Sequence, residues 1–188
     1  MHGAPCWWQA EAIRSLFECY ERGFLTRLQL SAADVVPLFR LRRLLATEPL
    51  LNVTFTTGRV GDLELKAVRH LLPLAYPFHL TVSPGVAGEF LASLLSSPVM
   101  TTATTLRLDG VNYGRTAAVL VGWLAKSPFL GEVRNLNLAR NRFDSADARQ
   151  LASLLNLPNV QYLNVTENRI DPDGLAALHE RFGEGVIV

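Results

Sequence analysis

The chain has 188 residues, the length of one domain, and can bury an apolar core without disulfides or a metal. Its 18 Lys and Arg against 17 Asp and Glu leave a net charge of +1, which excludes a broad basic field for nucleic acid. Cys6 and Cys19 form no CxxC motif or disulfide framework, and the sequence has neither an apolar run of about 18 residues nor a signal-peptide layout. We therefore expect a cytoplasmic protein without a membrane segment.

The first predicted element is a capping helix over residues 1–23. The apolar residues on one helical face are Trp8, Ala12, Leu16 and Tyr20. Such a stripe is typical of a helix that covers the end of a stack of repeats. Ligand stacking on Trp7 and Trp8 is the alternative, and exposure of either ring also leaves end-to-end self-association open.

A short apolar pattern of the form L-x-x-L-x-L then recurs through residues 24–188. Its middle apolar residues stand at positions 28, 53, 80, 106, 136 and 163, with spacings of 25, 27, 26, 30 and 27. Between the copies, apolar residues follow a period of about 3.6, so each unit is predicted to be a strand, a turn and an outer helix. About six βα units are expected, closed by a short strand at Val186–Val188.

The predicted helices carry caps and apolar stripes. Asp144 is the expected N-cap of the fifth helix, with Asp147 at its third position, and Asp171 is the expected N-cap of the sixth, before Pro172. The residues expected on buried stripes are Val35, Leu38, Phe39, Leu63, Val68, Leu71, Leu72, Phe90, Leu91, Leu94, Leu95, Ala117, Leu120, Val121, Leu124, Ala148, Leu151, Leu154, Leu155, Leu175, Leu178 and Phe182.

The two clearest copies carry the sequences LNLARNRF at Leu136–Phe143 and LNVTENRI at Leu163–Ile170. They resemble the repeats of the ribonuclease-inhibitor-like class of leucine-rich repeat proteins. The segments Tyr20–Leu25 and Leu175–Gly183 are similar to bacterial leucine-rich repeat proteins that carry the repeat-companion domain. The resemblance implies an α/β solenoid: a short right-handed βα horseshoe with a parallel concave sheet and outer helices.

Asn141 and Asn168 each follow the middle apolar residue of their unit by five positions. At the bend that leaves a strand, a side-chain amide can bond backbone groups of adjacent coils, so we expect a structural role for both. The fourth unit has Val111 at this place and Asn112 after it, a slip of one residue.

The sequence contains little that could support catalysis. The four histidines are His2, His70, His79 and His179, and no two of them have the spacing of metal ligands. A hydrolase that used His79 or His179 would need a nucleophile or a metal beside the histidine, and the sequence indicates neither. We therefore expect no catalytic residues, no metal and no cofactor.

Alternate strand residues are expected to form two polar columns on the concave sheet. One column is Arg27, Asn52, His79, Thr105, Asn135 and Tyr162; the other is Gln29, Thr54, Thr81, Arg107, Asn137 and Asn164. The residues predicted to bind a partner are Arg27, Gln29, Asn52, His79, Arg107, Asn135, Asn137, Tyr162 and Asn164. Arginine and tyrosine are enriched at binding hot spots, although an ordinary solvated sheet face is the alternative.

The sequence thus predicts a non-enzymatic scaffold that binds a protein partner through its concave strands and adjacent loops. A regulatory subunit or activator of a partner enzyme, such as a GTPase, is the alternative. Nucleic acid is disfavoured, because the densest basic run, Arg40–Arg43, is expected to be a solvated helix face.

Overall fold

The computed structural model describes residues 20–21, 24–25, 27–31, 51–56, 61–70, 74, 76–111 and 117–188. Its main feature is a seven-stranded, all-parallel sheet in which the strands follow one another in sequence order. Two short strands, β1 (Tyr20–Glu21) and β2 (Phe24–Leu25), precede this sheet in the chain and are not part of it. The strands of the sheet are β3 (Arg27–Ser31), β4 (Asn52–Thr56), β5 (Phe78–Val82), β6 (Ala103–Arg107), β7 (Asn135–Asn137), β8 (Tyr162–Asn164) and β9 (Val186–Ile187).

Five α-helices lie between these strands in the described part of the chain. They are α1 (Asp62–Arg69), α2 (Gly88–Leu95), α3 (Ala117–Lys126), α4 (Ser145–Ala152) and α5 (Pro172–Phe182). Short 3-10 helices cover Pro98–Thr102 and Gly183–Gly185. Parallel neighbours need a crossover connection, and these helices provide it, so the architecture is an α/β stack compatible with a βα solenoid.

The middle apolar residue of every predicted unit is buried in one continuous core. These residues are Leu28, Val53, Leu80, Leu106, Leu136 and Leu163. They pack with buried helix residues such as Phe90, whose ring meets that of Phe55 edge-on at 5.2 Å between centroids. Each fully buried leucine contributes roughly 1.5–3 kcal/mol of apolar transfer free energy. The helices therefore cover one face of the sheet, and the alternate strand positions face away from them.

Strands β5 and β6 change register by one residue at the start of their pairing. Phe78 pairs with Ala103, whereas His79 pairs with Thr105, so Thr104 is the extra residue of a β-bulge. The Thr104 hydroxyl donates to the Phe78 carbonyl at 3.2 Å, which gives that carbonyl a partner. Beyond the bulge the repeats are aligned again.

Helix α4 begins with the predicted capping box. Asp144 Oδ1 accepts the N–H groups of Ala146 at 2.8 Å and Asp147 at 3.0 Å, and the Asp147 carboxylate accepts the Asp144 N–H at 3.1 Å. Burial raises the pKa of the Asp147 carboxyl, and the negative charge of Asp144 raises it further. The hydrogen bond with the backbone of Asp144 lowers this pKa but does not cancel the rise. The cap predicted from the sequence is confirmed.

Helix α5 begins at Pro172, as predicted, with Asp171 as its N-cap. The Asp171 carboxylate accepts the Gly174 N–H at 2.9 Å, and the Asp171 N–H donates to Ser145 Oγ at 2.9 Å. The Ser145 side chain, followed by the Gly174 N–H, lowers the pKa of the Asp171 carboxyl. The helix ends at Gly183, whose φ of 68° suits glycine.

Among the predicted stripe residues that the structure describes, which do not include Leu71 and Leu72, two are exposed. Leu155 is 86% exposed and lies beyond the end of α4 at Ala152, where the helical period no longer determines which way a side chain faces. Leu63 is 69% exposed. It lies five residues before Val68, the buried residue of α1, and five residues place it about 140° around the helix axis from Val68. Apolar spacing alone therefore predicted neither the end of α4 nor the buried face of α1.

The predicted capping helix is corrected at its end, where Tyr20–Glu21 forms a short strand, β1. It pairs antiparallel with β2 (Phe24–Leu25), so Tyr20 is not part of a helical face. Residues 1–19 lie outside the described residues, as does Asn112. The same holds for residues 32–50, which contain the predicted first-unit helix and the basic run.

Candidate functional site

The open face is defined here as the sheet surface formed by the strand positions that face away from the helices. Its first column runs through positions Arg27, Asn52, His79, Thr105, Asn135 and Tyr162, each paired with the next. Its second column runs through Gln29, Thr54, Thr81, Arg107, Asn137, Asn164 and finally Ile187. These pairs coincide with the columns predicted from repeat spacing, and Ile187 extends the second one.

A shallow depression of about 330 Å³ lies on the open face between β5 and β9. Six of the nine residues predicted to bind a partner line it: His79, Arg107, Asn135, Asn137, Tyr162 and Asn164. Thr105, Leu136 and Ile187 complete the lining. Gln29 on β3 and Asn52 on β4 do not line the depression, and the side chain of Arg27 lies outside the part of the chain that the structure describes.

The depression combines one guanidinium with exposed aromatic and aliphatic surface. The side chain of Arg107 is exposed and forms neither an ion pair nor a hydrogen bond with the residues that the structure describes. The side chain of Tyr162 is 57% exposed and that of Ile187 is 51% exposed. None of the described residues lining the depression is acidic, so its fixed charge is positive.

Carboxylates lie beyond the ends of β6 and β8, but they are held by another arginine. Arg140 donates to Asp109 at 3.1 Å and lies 3.8 Å from Glu167. These exposed pairs contribute little to stability, roughly 0–1 kcal/mol each. Arg140 offsets one of these two negative charges, and the Arg107 side chain forms no ion pair with the described residues.

Three asparagines of the depression also serve the fold. Oδ1 of Asn137 accepts the Ala139 N–H at 3.0 Å, and Oδ1 of Asn164 accepts the Thr166 N–H at 2.9 Å. Each bond closes a local turn at the end of its strand. Asn135 Nδ2 donates to the hydroxyl of Thr105 at 3.2 Å. Part of the hydrogen-bonding capacity that the sequence offers to a partner is therefore already used.

The asparagine ladder consists of Asn141 and Asn168, in the turns that follow β7 and β8. Asn141 is fully buried, and its Nδ2 donates to the carbonyls of Leu108 at 2.7 Å and Leu138 at 3.0 Å. Asn168 Oδ1 accepts the N–H groups of Asn141 and Phe143, both at 3.0 Å. These bonds join three successive turns, so both asparagines have a structural role in the stack.

A second ladder on the outer side escaped the sequence analysis. Ser127 Oγ donates to the Leu95 carbonyl at the end of α2. Asn156 Nδ2 donates to the carbonyls of Leu124 and Ser127, both at 2.7 Å. The signal that could have revealed it is the recurrence of Ser-Pro at Ser97 and Ser127, since a serine at a helix end can bond carbonyls of the preceding coil.

The helical side carries a second groove, of about 580 Å³, across α1, α2 and α3. Its lining includes Arg69, Lys126 and Trp123 together with the carboxylate of Glu89. Arg69 Nε donates to Ser93 Oγ at 3.2 Å, which ties α1 to α2. Because both signs of charge line this groove, it offers less charge selectivity than the depression on the open face.

The histidines and acidic side chains of the described residues form no metal site. The described residues contain no group of three or more His, Cys, Asp or Glu side chains placed to hold a metal ion. His79 is exposed on the open face, and His179 Nδ1 lies 3.2 Å from the Gly183 carbonyl at the end of α5. Within the same part of the chain, every helix is too short or too polar to cross a bilayer.

Comparison with known proteins adds no family to this description. Neither the known family models nor the curated proteins include a match to this chain. The site's own residues are an arginine with no ion pair among the described residues, several amides, and an exposed tyrosine beside an isoleucine, all on regular strands.

Proposed function

We propose that the chain is a non-enzymatic leucine-rich repeat protein of the ribonuclease-inhibitor-like class that binds a protein partner. Its binding surface is the open face, which is the concave face in that architecture, with the adjacent turns. The all-parallel sheet in sequence order, the helices on one side and the asparagine ladder support this architecture. Each is a feature that stacked strand–helix repeats require.

The observation that carries the proposal is the depression that places Arg107 and Tyr162 on one exposed, regular surface. Arginine combines planar contact with directional hydrogen bonds, and tyrosine adds a large ring at a low cost in conformational entropy. Side chains on paired strands are also held more firmly than side chains on loops. This surface is thus suited to recognition of another macromolecule.

The test is affinity capture from a lysate of cells that express the chain, comparing wild type with the variant Arg107→Glu/Tyr162→Ala. A matched control, Arg149→Glu/Tyr76→Ala, reverses one arginine and removes one tyrosine elsewhere on the exposed surface. We expect wild type and control to capture the same protein and the first variant to lose it, with an unchanged melting temperature. Full capture by the first variant would exclude the open face as the binding surface.

The alternative function for the same surface is regulation of a partner enzyme, such as a GTPase. Adding the purified chain to the captured partner and following its turnover separates the two. A changed turnover favours the regulator, whereas an unchanged one favours the scaffold. The self-association predicted through Trp7 and Trp8 involves residues outside those that the structure describes.

A further inference from the structure

We infer that the partner presents an extended acidic segment, with a carboxylate on Arg107 and, about four residues away, an apolar side chain against Tyr162 and Ile187. The inference rests on the proposed function and specifies what the open face selects. It follows from three properties of the depression: its charge, the position of its apolar surface and the distance between them.

The charge of the depression favours a carboxylate. Arg107 is exposed and has no ion pair within the described residues, and no acidic side chain lines the depression. The nearby acids Asp109 and Glu167 are both paired with Arg140. A guanidinium binds a carboxylate through two parallel N–H···O bonds, which are about twice as strong as bonds between neutral groups. A partner carboxylate would supply a counter-charge that the described residues do not.

The apolar surface lies at the opposite end of the same depression. Tyr162 and Ile187 are each more than half exposed, on the neighbouring strands β8 and β9. Ile187 belongs to the same column as Arg107, with Asn137 and Asn164 between them. The amides in between can bond a peptide backbone, because their Nδ2 groups have no partner among the described residues.

The strand spacing sets the separation between the two anchors. Neighbouring strands lie about 4.8 Å apart, so the three steps from β6 to β9 amount to about 14 Å. An extended segment rises about 3.4 Å per residue, and about four residues cover that distance. The segment would cross the strands at a steep angle, with its acidic residue over β6 and its apolar residue over β8 and β9.

The experiment uses synthetic twelve-residue peptides with a Gly/Ser background, one Glu and one Leu, at separations from one to eight positions. Each has a control with Gln in place of Glu and another with Lys. Binding to the full chain is followed by backbone amide shifts in nuclear magnetic resonance spectra, which detect millimolar affinities. We expect the tightest binding at separations of three to five, and about tenfold weaker binding when Glu becomes Gln.

Charge reversal in the chain provides the sharper test. The Arg107→Glu variant should reverse the preference, so that Lys peptides bind more tightly than Glu peptides at the same separations. Absence of binding by every peptide, or affinity that ignores the Glu-to-Gln change or the separation, overturns the inference. Equal binding of a single-stranded DNA dodecamer also overturns it, because the site would then accept anions generally.

Two single variants separate this inference from the proposed function. With the captured partner, both Arg107→Gln and Tyr162→Ala should weaken binding if both proposals hold. Loss with Tyr162→Ala and full binding with Arg107→Gln would leave the open face as the interface and remove the acidic segment. Full binding by both variants would overturn both proposals. Both side chains are exposed, so neither change is expected to alter folding.

Discussion

At the scale of single residues, the asparagine ladder distinguishes a polar side chain that holds the fold from one that is free to bind. Asn141 has no exposed surface, and it satisfies buried carbonyls of two coils with one amide group. Asn159 is exposed and donates a single bond to the Gly131 carbonyl at 2.7 Å. Substitution of each asparagine by alanine therefore compares the loss of a buried hydrogen bond with the loss of an exposed one.

We expect Asn141→Ala to lower the free energy of unfolding by roughly 2–4 kcal/mol, because buried carbonyls lose their donors. Asn159→Ala should lower it by less than about 1 kcal/mol, because water replaces an exposed donor. Urea denaturation of both variants measures the difference. Equal losses would show that the buried amide has no special structural role.

A second residue-scale prediction concerns pH. The folded-state pKa of Asp171 lies below its ordinary value of 3.8, so the unfolded chain takes up this proton first as pH falls. The stability that Asp171 contributes is therefore complete above pH 3.8 and is lost as pH falls through the lowered folded pKa. We expect Asp171→Asn to be destabilised at neutral pH and to approach wild type in acid, as followed by urea midpoints across pH. Asp173→Asn, in the same helical turn, is the control; a constant deficit at all pH values would contradict the assignment.

At the scale of elements, an inward position of a strand and a position beyond a helix end differ in how deeply a leucine is buried. Leu136 is buried in β7, whereas Leu155 lies past the end of α4 and is exposed. We expect Leu136→Ala to cost about 2–5 kcal/mol of unfolding free energy through lost burial and a cavity. Leu155→Ala should change it by less than about 0.5 kcal/mol. Comparable losses in chemical denaturation would contradict the burial assigned to these two leucines.

The last strand depends on a close approach at Gly185. A Cβ at this position would overlap the carbonyl oxygen of Gln161, whereas a Cβ at Gly131 would meet nothing. We expect Gly185→Ala to displace β9, so that the Val165 N–H, which donates to the Ile187 carbonyl at 2.9 Å, exchanges with solvent faster. Hydrogen exchange measures this, with Gly131→Ala as the control. Unchanged protection at Val165 in Gly185→Ala would show that β9 tolerates the substitution.

These examples show which elements the sequence can predict. A strand shows its inward residues by simple alternation, and the spacing of the repeats aligned Arg107 with Asn137 and Asn164 correctly. A helix end depends on where the chain must turn toward the next strand, which the apolar period does not record, and Leu155 was misplaced for that reason. The bulge at Thr104 is equally local and has no signal in the spacing.

At the scale of the whole molecule, the repeat explains why one face is available. Helices cover the side of the sheet that carries the core, and the other side remains open along the described strands. Repeat spacing predicts the columns of this face but not the depression, because its floor and edges depend on how far each exposed side chain extends. Spacing also does not distinguish Asn137 and Asn164, which close turns, from Arg107, whose side chain bonds no described residue.

The most direct test of protein recognition by the open face is site-specific photo-crosslinking. A benzophenone amino acid replaces Tyr162 in one variant and Glu180, exposed on α5, in another. Both are irradiated with the captured partner, and cross-linked products are identified by mass spectrometry. We expect a cross-link to the partner from position 162 and none from position 180. Cross-linking from position 180 alone would place the interface on the helical side and contradict the proposed function.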